Sequence, residues 1–219
     1  MCKFSPCFYE FLFDSNIEFI KKPDGNTIIF GALNLTHTGI RHIPRKLIIV
    51  NSLIMRYCDI ESLPEGLQVF DDLDLKNTPI TRLPQDLHVG GSIFLENSQL
   101  SELPDNFEID GGLDLENTPI RKLPSNLCVG DYLNIQGTNI TDLPEDLYVG
   151  QSLLLDSEKI SVNQGYRNIL ASGVIWPKER QYINKNVKLL TKVGNAESRH
   201  QHRAFLRRAV RLNRDERLA

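Results

Sequence analysis

From Arg41 to Ile160 the apolar residues of this chain fall into columns that repeat every 20 positions, with no insertion or deletion. With Arg41 as position 1, position 3 is Ile43 or a leucine, and position 7 is Leu47, Leu67, Leu87, Phe107, Leu127 and Leu147. Position 9 runs from Ile49 to Val149, position 13 from Leu53 to Leu153, position 15 from Met55 to Leu155, and position 20 from Ile60 to Ile160. Six columns in six repeats make 36 sites, and all 36 are apolar in a chain only 41% apolar overall. Chance does not produce that, and a fixed period of this length is the mark of a repeat architecture. A degenerate unit, Lys21 to Ile40, precedes the six, so 21–160 reads as seven repeats, with 1–20 as an N-terminal cap.

The alternation at positions 7 and 9, and again at 13 and 15, is the two-residue period of a strand. Between them, Val89-Gly90-Gly91 and Val149-Gly150 predict a turn in which glycine takes positive φ. Proline at position 4, from Pro44 to Pro144, prevents a helix from continuing there. Twenty residues do not hold two strands, two turns and a helix. The pattern therefore predicts short parallel strands on a concave side and extended or 3₁₀ backbone on the convex side. One coil alone exposes its six apolar side chains, whereas coils stacked about 4.8 Å apart bury them in one seam. Each buried aliphatic side chain contributes roughly 1.5–3 kcal/mol. Position 18 carries Thr38, Cys58, Thr78, Ser98, Thr118 and Thr138, a column of small polar groups expected to point inward and bond the loop backbone of the adjacent coil.

The run Leu73-Asp74-Leu75-Lys76-Asn77-Thr78-Pro79-Ile80-Thr81-Arg82-Leu83-Pro84 resembles the leucine-rich-repeat signature, L-x-L-x-x-N-x-L followed by x-x-L-P, in its short bacterial and phage variety. Two departures are visible: the inward asparagine is replaced by threonine, serine or cysteine, and the Val-Gly-Gly-x-Leu-x-Leu spelling is longer than usual. The repeats are similar to those of prophage-encoded proteins and, more loosely, to the repeat region of IpaH-like secreted effectors. The resemblance implies a solenoid that binds another protein. It does not extend to the effectors' ubiquitin-ligase domain, because the 59 residues after Ile160 contain no cysteine.

Charge divides the chain. Residues 161–219 hold 13 Lys+Arg and 4 Asp+Glu, a net of +9, while 1–160 hold 12 and 24, a net of −12. Helices are predicted over 163–171, from Pro177 to about Val193, and from about Ser198 to Arg217, making 161–219 a basic helical cap or tail. Arg203, Arg207, Arg208, Arg211 and Arg214 give the last helix a basic stripe, open to nucleic acid, to the chain's own acidic face or simply to solvent. Cys2, Cys7, Cys58 and Cys128 have no paired spacing, so reduced thiols are expected. His200 and His202 lack acidic or thiol company, and neither a metal nor a cofactor is expected. No stretch reaches the ~18 apolar residues of a membrane span, and 1–20 lacks the layout of a secretory signal. A cytoplasmic location is expected, with export as an effector an open alternative.

Positions 12, 14, 16 and 17 should face outward from the concave strands, the surface on which solenoids usually bind. The candidate partner-binding residues are Ile54, Arg56, Tyr57, Asp72, Asp74, Phe94, Glu96, Asp114, Glu116 and Tyr132, with Lys76, Asn134, Leu154 and Asp156 on the same face. Phe94, a ring facing solvent beside carboxylates, is the expected anchor. Asp74 and Asp114, two coils apart at roughly 9–10 Å by strand spacing, approach the separation used by inverting glycosidases. Nothing in the sequence desolvates either one, so no enzyme is expected. The expectation is a non-catalytic protein-interaction module, with nucleic-acid association through the basic tail as the alternative.

Overall fold

In a computed structural model of the chain, residues 7–156 and 160 are described, together with the backbone of 173–175. Strands return at 20-residue spacing and pair in parallel, position over position, so that the chain winds as a β-solenoid. Each turn is called a coil below, coil 1 being 21–40 and coil 7 being 141–160. The 36 apolar sites behave as their periodicity demands. All but one are buried, the exception being the half-buried Leu87.

Each coil contributes two short strands rather than one, and these build two stacks. The strands at positions 13–14, from Leu33–Asn34 through Leu73–Asp74 and Leu113–Asp114 to Ser152–Leu154, form one continuous sheet, to which Gly173–Ile175 adds an eighth strand in parallel. The strands at positions 8–9 form the second stack, and it is interrupted. Five strands run from Phe19–Lys21 to His88–Val89, and three more from Glu108–Ile109 to Tyr148–Val149. At the interruption coil 5 carries Phe107 where the other coils carry leucine, and the seam beside it is looser. Leu87 is half-buried and Val89 is 9% exposed, whereas Leu67, Leu127, Val69 and Val129 are fully buried. The side predicted to be extended or 3₁₀ is thus partly strand, because positions 7 and 9 had the alternation for it.

The turns use different chemistry from that predicted. None of Gly90, Gly91 and Gly150 adopts positive φ. Gly91, Gly130 and Gly150 sit where coils approach closely: a Cβ on Gly150 would collide with the carbonyl oxygen of Gly130, and one on Gly130 with that of Asp110. Positive φ falls instead at position 17, on His37, Tyr57, Asn77, Asn97, Asn117 and Gly137, and at position 6, on Lys46, Gly66, Asn106 and Asn126. Asparagine tolerates the left-handed region better than other side chains with a Cβ. The position-18 hydroxyls also differ from expectation. Thr78, Thr118 and Thr138 donate to the carbonyl three residues earlier in their own coil, each at 2.7 Å, rather than across to the neighbour. A γ-hydroxyl lies within reach of that local acceptor, so a same-coil bond wins. The Cys58 thiol instead reaches across, to the Leu35 carbonyl at 2.8 Å.

At the N-terminal end the short helix Phe8–Asp14 lays Phe8 and Leu12 against the seam. The strand Phe19–Lys21 then turns back antiparallel to Thr27–Ile29, so an antiparallel hairpin begins the first stack. Cys7, Cys58 and Cys128 are free thiols. Among the described residues no helix is long and apolar enough to cross a membrane. The predicted C-terminal helices, the arginine stripe and the His200–His202 pair lie outside the described residues.

Candidate functional site

The outward face of the continuous sheet is built by a backbone that leaves one donor per coil without a ladder partner. In the ladder, the N–H groups of positions 13 and 15 donate to carbonyls at 12 and 14 of the next coil, as from Leu73 to Ser92 and from Leu75 to Phe94. In four coils the N–H of position 16 is satisfied locally. The side chain at position 14 folds back to accept it: Asn34 from Thr36 at 3.0 Å, Asp74 from Lys76 at 3.2 Å, Asp114 from Glu116 at 3.0 Å, and Asn134 from Gln136 at 3.1 Å. Asp and Asn are the residue types that make such a turn.

That fold-back turns the position-14 side chain toward position 16 of the preceding coil, 18 residues earlier, and the face becomes a row of diagonal pairs. Arg56 meets Asp74, with its Nε 2.6 Å and its Nη2 2.5 Å from Oδ2. Lys76 lies over the Phe94 ring, 4.9 Å from its centroid, while pairing with Glu96 at 2.5 Å. Glu96 meets Asp114, and Glu116 accepts the Asn134 amide at 3.1 Å. One geometry therefore carries a salt bridge, a cation–π contact, a carboxyl–carboxyl contact and a carboxylate–amide bond in successive coils. The hydrogen bond to Asp74 holds the Arg56 guanidinium protonated even more firmly than usual.

Three of the candidate residues depart from expectation. Asp74 and Asp114 are 4% and 7% exposed, so both are desolvated, contrary to the sequence reading. The long side chains at position 16 close over them, which column-by-column reading does not reveal. Asp74 has Arg56 as its counter-ion; Asp114 has Glu96. Burial, and then the charge of Glu96, push the Asp114 carboxyl up to about 6, against opposing bonds from the Glu116 N–H and Asn134. Phe94 is the other departure. Its ring is half-buried under the Lys76 ammonium and is not a free solvent-facing anchor.

Tyr132 lies flat over Gly112, directly above it in register, where any Cβ would intrude into the ring. Burial, with the charges of Asp114, Glu96, Asp72 and Asp131, pushes its phenol up to about 12, so it stays neutral and a donor across the ordinary pH range. Asp72 accepts the Ser92 N–H at 2.7 Å, and Ser92 Oγ accepts the Gly112 N–H at 2.9 Å, tying coils 3, 4 and 5 together at position 12. At the other end Tyr57, 53% exposed, stacks on His37 with ring centroids 4.7 Å apart. Ile54 is half-buried. The candidate residues thus occupy one continuous face, as their register requires, but in two electrostatic halves. Sequence reading undervalued Lys76, Asn134, Gly112 and His37, and pairing residues 18 apart instead of 20 is the signal that finds the first two.

Glu96, Asp114 and Glu116 bring their carboxylate oxygens within 4.8 Å of one another. A hard divalent cation takes six or more oxygen ligands with little competition. Here Glu96 is held by Lys76, Glu116 by Asn134, and Asp114 by the Glu116 N–H. Each carboxylate of the trio thus already has a partner within the protein. The chain matches no family model and no curated protein sequence.

Proposed function

We propose that the chain is a non-catalytic protein-interaction module of leucine-rich-repeat type, binding a partner on the outward face of its continuous sheet. The reading is supported above all by the charge on coils 4 to 7. Cations stop at Lys76, and from Glu96 onward position 16 is Glu96, Glu116, Gln136 and Asp156. That half of the face offers carboxylates, the Tyr132 phenol and the Asn134 amide, which suits a partner presenting arginine or lysine. Phage or effector origin belongs to the same reading and rests on the resemblance of the repeats alone.

The test is affinity capture from the native host with the parent chain and with an Asp72→Lys, Glu116→Lys, Asp156→Lys variant, its folding checked by circular dichroism. A partner retained by the parent at low salt and lost by the variant is the expected result. Equal retention by both overturns the reading. A second reading, nucleic-acid association, is favoured by the +9 net charge of 161–219. It requires retention on DNA or RNA at about 50 mM salt that disappears on truncation after Lys192, and no retention at that salt ends it.

A further inference from the structure

The diagonal from position 16 to position 14 of the next coil is a place for opposite charges, and coils 4 and 5 fill it with two acids. Arg56 and Asp74 show what the geometry does with a cation and an anion: they close to hydrogen-bond distance, with Asp74 buried beneath. Glu96 and Asp114 stand in the same relation, 18 residues apart, with Asp114 equally buried. Two carboxylates whose oxygens lie within 4.8 Å of each other, one of them buried, hold one proton between them to a higher pH than either would alone.

The surrounding groups decide which. From coil 3, Lys76 forms an ion pair with Glu96 at 2.5 Å, while Asp72 contributes negative charge to the same neighbourhood. From coil 6, Tyr132 is a neutral phenol, and Asn134 bonds Glu116. Within coil 5, Glu116 supplies both its N–H to Asp114 and a third carboxylate. Glu96 thus has a cation and Asp114 has none, so the shared proton resides on Asp114.

We propose that the Glu96–Asp114 diagonal is a pH-responsive switch in the partner-facing surface, holding one proton in mildly acidic conditions and releasing it as neutrality is approached. Protonated, the pair is a hydrogen bond that joins coils 4 and 5. Ionised, it adds one negative charge to the acidic half of the face and sets two anions against each other across that joint. The joint is the same one at which the other stack is interrupted, between His88–Val89 and Glu108–Ile109. A cationic side chain brought by a partner would relieve the repulsion, making binding release a proton. This last consequence rests on the proposed function, while the switch itself does not.

Carboxyl-detected NMR titration of the full chain tests the switch without any partner. The Asp114 side-chain carbon is expected to titrate near pH 6 instead of in the ordinary aspartate range near 3.8. In Glu96→Gln, where an amide can donate to the carboxylate, the midpoint is expected to fall by about one unit or more. An Asp114 midpoint in the ordinary range, or one that Glu96→Gln leaves in place, overturns the proposal. Asp114→Asn gives an independent readout, since Asn34 and Asn134 already make the same turn at position 14. Its melting temperature should lose part of the parent's fall between pH 5 and pH 7.5, and identical falls in the two proteins also overturn the proposal.

Discussion

Arg56–Asp74 and Glu96–Asp114 occupy equivalent places in the solenoid, two coils apart, yet one is a neutralised pair and the other a surplus of charge. The backbone beneath them is the same: position-13 leucine or isoleucine in the seam, an aspartate at 14 accepting the N–H of 16, and a carbonyl at 14 feeding the preceding coil. The difference teaches that the seam alone sets the register. The outward side chains inherit that register and are free to differ, which is how one surface acquires a half where cation meets anion and a half where carboxylates predominate.

The comparison is broken most completely by attacking what the two places share. Ile120→Asp puts an unpaired carboxylate into the seam and should cost more than about 4 kcal/mol. Loss of the cooperative unfolding transition at 25 °C is the expected observation, and a stable folded variant would contradict the buried seam. Arg56→Ala acts on one half only. It leaves the buried Asp74 without its counter-ion and should cost about 3 kcal/mol in urea unfolding, with Arg56→Ala/Asp74→Asn regaining most of it. If the single variant costs as little as the double, the diagonal is not holding a buried charge.

Asp114→Asn sharpens the difference, because here removing the charge should help. A carboxyl whose pKa is raised on folding binds its proton more tightly in the folded chain, so the unfolding free energy falls as pH rises. The stability it contributes is whole below about 3.8 and is lost through about 6. At pH 7.5 the variant should therefore be more stable than the parent, on the order of 1–3 kcal/mol, with the gain gone near pH 4. A variant less stable at pH 7.5 than at pH 4, relative to the parent, reverses the sign and refutes it. Arg82→Ala is the smallest change. The Arg82–Glu102 pair is 2.7 Å long, but its side chains are 74% and 59% exposed, so its removal should move the urea midpoint by no more than ~0.5 kcal/mol equivalent. A larger effect would mean that burial is not what separates the diagonal pairs from surface ones.

The sequence by itself determined the fold's period, its seam and which residues face outward. A hydrophobic column repeated at constant spacing has one economical solution, stacking like on like, and Leu53, Leu73 and Leu113 had nowhere else to go. Even the strand nature of positions 7 and 9 was written in their alternation. The tertiary structure alone decided the turns and the electrostatics. Gly130 and Gly150 are required by the nearness of another coil's carbonyl, not by their own φ, and no single repeat contains that information. The same holds for Asp74 and Asp114. Each looks exposed in its own repeat and is buried only because a side chain from the coil before closes over it, so its charge depends on a neighbour that the linear pattern places 18 residues away.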